Sequence, residues 1–150
     1  MAYEAVQNWE LKHKGPRPGT QALLDVILFL WAKSKVTNVG IYNRRSVRGG
    51  SSWSLHAVGR AMDVGVPNIG VGTLIATFLT TGDNAKGCGI CEVIFNRRRW
   101  TAETGWLPYH GEDPHTAHIH IGQTIRAADS PGATTDQLHK LFAAVLTNGA

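Results

Sequence analysis

Four side chains in this 150-residue chain carry metal-donor atoms at spacings that could bring them together: His56, Asp63, His118 and His120. The first two lie in Ser54-Leu-His56-Ala-Val-Gly59-Arg60-Ala61-Met-Asp63. They stand too far apart for adjacent turns of one helix, so a turn followed by a strand must join them. Gly59 lets the chain turn, and Ala61 leaves room for packing near an ion. His118 and His120 are two apart, so on a strand they share a face. Zinc accepts imidazole nitrogen and carboxylate oxygen, and its catalytic sites commonly keep three protein ligands and one open position. One of the two strand histidines can bind such an ion while the other stands beside its water. The chemistry open to this set is metal-assisted hydrolysis. An HxH pair alone reads more simply as an exposed strand face; the His56–Asp63 segment is what makes it a candidate site.

Several elements must position these residues. Residues 1–14 suggest a short helix, with Trp9 and Leu11 covering apolar surface, ended by Gly15-Pro16-Arg17-Pro18-Gly19. Thr20 then caps a helix over 21–35, apolar on nearly every side and so expected to be well buried, with Lys33 and Lys35 in its last turn. A strand over 39–47 should end in the flexible loop Arg48-Gly49-Gly50-Ser51-Ser52, which delivers the chain to His56. A second strand over 61–66 is stopped by Pro67. Leu74, Ile75, Phe78 and Leu79 have helical spacing within 71–80, closed by 81–84. A strand over 91–96 leads through a short polar turn to Trp100, and 105–111 reads as a loop with large aromatics. The strand with both histidines falls within 115–122. After the linker Ser130-Pro131-Gly132, a last helix starts at Thr134 or Thr135 and runs through Leu138, Leu141, Phe142, Val145 and Leu146. The expected fold is α+β: a small mixed or antiparallel sheet carrying the metal residues, flanked by N- and C-terminal helices.

A content of 43% hydrophobic and 17% charged residues argues for a globular chain rather than a disordered one, and 150 residues suit one domain. The longest apolar run, 23–32, is interrupted by Asp25 and is too short to span a bilayer, so no membrane insertion is expected. Met1-Ala-Tyr-Glu-Ala-Val lacks a basic region followed by an apolar core, so no signal peptide is read and synthesis in a cytoplasm is expected. The net charge of +4 would suit nucleic acid or an anionic cell wall. Much of it sits in Arg44-Arg45-Ser-Val-Arg48 and Arg97-Arg98-Arg99, without a recognition motif or interleaved aromatics, so no nucleic-acid partner is expected. Cys88-Gly-Ile-Cys91 lacks a second CxxC and reads as two thiols partly buried beside a strand. A monomer is the default.

The segment Ser54-Leu-His56-Ala-Val-Gly59-Arg60-Ala61-Met-Asp63 resembles the SxHxxGxAxD motif of D-Ala-D-Ala carboxypeptidase-like zinc peptidases, a group related to lysostaphin-type enzymes and the hedgehog signalling domain. His118-Ile-His120 resembles the HxH of the wider group. The stretch from Phe95-Asn96-Arg97 through Gly105-Trp-Leu-Pro-Tyr109 to Pro114-His115-Thr-Ala-His118 is similar to actinobacterial and phage members, so the resemblance covers roughly 38–122. It implies zinc held by His56, Asp63 and His120, with His118 beside the water and steadying the transition state. It implies an upstream arginine, Arg48 or Arg45, on the substrate or the developing oxyanion. Trp53, Trp100, Trp106 and Tyr109 could wall a groove for the peptide, although plain core packing is the simpler reading for at least two of them. The implied activity is cleavage of peptidoglycan stem or crosslink peptides, as in the catalytic domain of an endolysin that leaves its host cytoplasm and acts on the wall.

One departure matters. Carboxypeptidase-like relatives place an acidic general base three residues before the last ligand, where this chain has Ala117. Either His118 takes that role, or Glu112, Asp113 or His115 reaches in from the loop. The alternative expectation is a zinc-stabilised cell-wall-binding module without turnover.

Overall fold

The computed structural model describes residues 2–46, 52–130, 140 and 143. Its centre is a six-stranded sheet in the order β1-β2-β6-β3-β4-β5. The strands are β1 (Thr37–Gly40), β2 (Ala61–Gly65), β3 (Ile90–Phe95), β4 (Arg98–Thr101), β5 (Gly105–Pro108) and β6 (His118–Gln123). Every neighbouring pair is antiparallel. Among the elements with described bounds, four helices flank this sheet, α1 (Pro18–Leu30), α2 (Ile69–Thr80), α3 (Asn84–Cys88) and α4 (Ile125–Asp129), and the fold is α+β. No helix among the described residues is long and apolar enough to cross a membrane.

Strand alternation divides the sheet into two faces. Met62 and Val64, Ile119 and Ile121, and Val93 and Phe95 join one buried cluster with Leu23, Leu24 and Ile27 of α1 and Ile75 and Leu79 of α2. The intervening residues, Asp63, His118, His120, Glu92 and Ile94, belong to the opposite face. Shifting the register of β6 by one residue would send its histidines into the core. A second, smaller cluster of Leu55, Ala61 and Cys91, with Tyr3 and Val6 packed against it, lies beside the site.

Local chemistry explains where the elements begin and stop. Helix α1 starts earlier than the expected Thr20 cap: Arg17 is its N-cap and Pro18 occupies the first turn, where a missing N–H costs nothing. It ends at Leu30 rather than 35, followed by a 3₁₀ turn at Ala32–Ser34 and Lys35 in the left-handed region. Nor is it buried all round, since Phe29 is 67% exposed. Asn68 caps α2 by accepting from the Val71 N–H at 2.9 Å, and the strand expected over 61–66 is β2. Between β3 and β4, Asn96 and Arg97 both take positive φ, the signature of a two-residue type I′ hairpin.

Other expectations need correction. The strand expected over 39–47 is only the four-residue β1, which bulges between Asn38 and Gly40. Beyond it the chain leaves the sheet to run beside the His56 turn, where Asn43 N–H donates to His56 O at 3.1 Å and Ser54 N–H donates to Arg45 O at 3.2 Å. The expected loop 105–111 begins as β5, because Trp106 pairs with Trp100 across the β4–β5 hairpin. Residues 1–14 contain a 3₁₀ turn at Asn8–Lys12, with Trp9 half exposed rather than covering a core. The helix expected from 134 onward lies outside the described residues, apart from Lys140 and Ala143, which are helical. Cys88 belongs to the main core and Cys91 to the smaller cluster; both are free and buried.

Candidate metal centre

The sequence between His56 and Asp63 folds as a cap, a turn and a strand. Ser54 accepts from the His56 N–H at 3.2 Å and opens a 3₁₀ turn, Leu55–Val58. Gly59 ends it at φ 74, and a Cβ there would lie 2.3 Å from Gly15 O, so both conformation and space demand glycine. Arg60 then anchors the start of β2. Its guanidinium is fully buried, donating to Glu10 Oε1 at 2.7 Å, to Gln123 O at 2.7 Å and to Glu4 O at 2.9 Å. Arg17 donates to the same Glu10 Oε1 at 2.8 Å. This buried Arg–Glu–Arg cluster ties the N-terminal segment to the ends of β2 and β6.

The register of β2 on β6 puts Asp63 directly opposite His120. Directly opposed residues on one sheet face have their side chains in contact range. The His56 turn closes over the pair. His56 Nε2 lies 3.1 Å from Asp63 Oδ1 and 3.2 Å from His120 Nδ1, and His120 Nδ1 lies 3.5 Å from Asp63 Oδ1. A tetrahedral ion with bonds of about 2.0–2.1 Å has ligand atoms about 3.3 Å apart. The three separations bracket that edge, so this donor set fits zinc with little rearrangement and leaves a fourth position open.

His120 is also held from behind. Its Nε2 lies 2.9 Å from Glu92 Oε1 on β3, and Glu92 Oε2 accepts from Arg99 Nε. A carboxylate on the far nitrogen of a ligand histidine fixes the ring and leaves the near lone pair for the metal. Burial works against the charged His120 ring, but the hydrogen bonds and charges of Asp63 and Glu92 outweigh it and raise its pKa to about 9. Burial likewise opposes the Glu92 carboxylate, yet His120 and Arg99 hold its pKa down at about 2. Asp63 is held well below the usual carboxylate range by His120 and His56 despite its burial. Burial dominates at His56 and pushes its pKa down.

A cavity of about 350 Å³ opens beside the cluster, lined among others by Arg45, Glu92, Tyr109, Asp113, His115 and His120. Arg45, one of the two expected arginines, faces it; Arg48 lies outside the described residues. His118 Nε2 stands 3.8 Å from Asp63 Oδ1 and 3.7 Å from Asp113 Oδ2. Ala117 is exposed on the adjoining loop. Of the loop residues Glu112, Asp113 and His115, the last two line the cavity, whereas Glu112 is exposed. Among the four aromatics considered as walls, Tyr109 lines the cavity with its ring edge against His115 at 5.6 Å. Trp100 is core, Trp106 packs partly against the core, and Trp53 lies under the Arg44 guanidinium.

No motif in the sequence marks Glu92. Its signal was a single carboxylate within the otherwise apolar Ile90-Cys-Glu92-Val-Ile-Phe95, where a buried charge needs a partner. His115 reads in the sequence as a loop residue, but the structure buries it and fixes its backbone at φ 53.

The fold and site therefore define an α+β protein with a His/Asp cluster that could hold a metal ion on one face of an antiparallel sheet. The chain belongs to the family described as VldE, C-terminal domain, which it matches over residues 12–120. That span contains His56, Asp63, His115, His118 and His120. No curated protein and no solved structure matches the chain.

Proposed function

We propose that this protein is a zinc-dependent peptidase cleaving stem or crosslink peptides of peptidoglycan, as in an endolysin catalytic domain. The observation that carries the reading is the His56–Asp63–His120 triangle, whose sides of 3.1, 3.2 and 3.5 Å suit zinc, beside a cavity that admits a ligand. The substrate class rests on the resemblance of 54–63 and 118–120 to carboxypeptidase-like peptidases. Zinc bound there would supply a Lewis acid that polarises a carbonyl and lowers the pKa of water towards neutrality.

The remaining work falls to side chains. Glu92 orients His120 through its Nε2. His118 Nε2, set between Asp63 and Asp113, is placed to take a proton and return it to the leaving amine. Arg45 offers positive charge where oxygen becomes negative or where a substrate carboxylate docks. Tyr109 gives the cavity an apolar wall.

Replacing His120 by Ala should abolish stoichiometric zinc and peptide release together, with the fold retained. A variant that loses neither refutes the assignment. The second reading, a zinc-stabilised wall-binding module, is favoured by Ala117, where the related peptidases carry an acid. Zinc-loaded protein that sediments with cell walls and releases no peptide would select it.

A further inference from the structure

We propose that Asp63, His115 and His118 form a second divalent-cation position. It shares Asp63 with the first and rests on the reading of the first as a zinc site. One donor atom from each of these three residues lies within 4.8 Å of the others. Asp63 is the only member the two triads have in common, so an ion held by the first uses no donor from His115 or His118. A carboxylate has two oxygens, and in two-metal sites the ions stand about 3.5–4 Å apart, a distance a bridging carboxylate spans.

His115 is prepared for such a role. Its side chain is buried beside His118, ring centroids 4.8 Å apart. Its Nδ1 lies 2.8 Å from the Asp113 carbonyl oxygen. A carbonyl only accepts, so the proton is on Nδ1 and the lone pair is on Nε2. The backbone is pinned as well. His115 N–H donates to Asp113 Oδ1 at 2.9 Å, its carbonyl accepts from Asn96 N–H at 2.8 Å, and Pro114 O accepts from Arg97 N–H at 2.9 Å. The β3–β4 hairpin thus holds this histidine over the sheet. Two imidazoles with one carboxylate suit zinc or cobalt rather than magnesium or calcium.

This position is looser than the first. His118 Nε2 lies 3.8 Å from Asp63 Oδ1, the oxygen that already belongs to the first triangle, against the edge of about 3.3 Å that a tetrahedral ion requires, so a second ion either shares that oxygen or turns the carboxylate to take Oδ2. Its ligands must close on the ion, so it fills second and more weakly. Filling it occupies the His118 lone pair that the proposed hydrolysis uses for proton transfer. Excess zinc therefore switches the enzyme off.

Titration of the metal-stripped protein with Zn²⁺, followed by calorimetry and native mass spectrometry, tests this. Wild type should take two equivalents, the second binding about tenfold or more weaker. His115→Ala should keep the first and lose the second, and its peptide release should no longer fall in excess zinc. Should that variant not fold, wild type answers alone: two Co²⁺ bridged by Asp63 give a spin-coupled resonance signal that one does not. Saturation at one equivalent, without the coupled signal and with that equivalent lost in His56→Ala, overturns the second position and leaves the first intact. No tight equivalent at all overturns both.

Discussion

Glu10 lies far from the metal residues in sequence, yet the structure makes it the support of the segment that carries them. Its carboxylate accepts from Arg17 Nη1 at 2.8 Å, from Arg60 Nε at 2.7 Å, from Arg60 Nη2 at 3.3 Å and from the Gln7 N–H at 2.8 Å. Glu10 and Arg60 are fully buried, and Arg17 is 2% exposed. Glu10→Gln keeps the shape but leaves the buried Arg60 guanidinium without its ion-pair partner and Arg17 with Asp129 alone, at 3.3 Å. Removing one partner of a buried ion pair costs about 3–5 kcal/mol. The amide oxygen of Gln still accepts one or two of these bonds, which places the expected loss near the lower end, about 3 kcal/mol. For a chain of this size that lowers Tm by roughly 6–12 °C. Urea unfolding at neutral pH measures it, with exposed Glu103→Gln as the control. Because Arg60 joins the start of β2 to the end of β6, zinc affinity should weaken in the same variant. A loss below about 1 kcal/mol would refute the claim that this cluster holds the site together.

Three further outcomes follow from the site and core. Glu92→Gln should weaken zinc binding about 10- to 100-fold while leaving the three ligands in place, as measured by competition with a chromophoric chelator. Metal uptake should release protons and tighten with rising pH. Without metal, His120 titrates near pH 9 and is protonated at neutral pH, so the ion must displace that proton. The sign for stability is opposite. A folded pKa raised from 6.5 to about 9 stabilises the metal-free protein fully below pH 6.5, and that contribution is lost as pH rises through 9. Burial pushes Cys88 up to about 12 and Cys91 up to about 11, so neither should react with iodoacetamide at pH 8 until the chain unfolds, as intact mass would show.

Much of the site was legible because its residues obey short-range rules. The two-residue spacing of His118 and His120 requires a shared face on any strand, and Gly59 marks the turn that returns His56 towards Asp63. What could not be read was pairing. Nothing local says that β6 inserts between β2 and β3, and it is this insertion that sets Asp63 opposite His120 and brings Glu92 behind it. The same limit hid the Glu10–Arg60 contact, which spans 50 positions. It also hid β5, whose Trp106 reads as a loop aromatic until its partner Trp100 is known. Helix ends shifted where a backbone rule outweighed pattern: Pro18 starts α1 ahead of Thr20, whose hydroxyl could equally have capped it.

Zinc-dependent peptide cleavage can be read by incubating the protein with purified diaminopimelate-type peptidoglycan, with and without a zinc chelator, and identifying new peptide ends by mass spectrometry. A zinc peptidase yields new ends that vanish with the chelator and return when zinc is restored, and their sequence names the bond. Zinc-loaded, folded protein that yields no new ends, or ends that persist in the chelator, would contradict it.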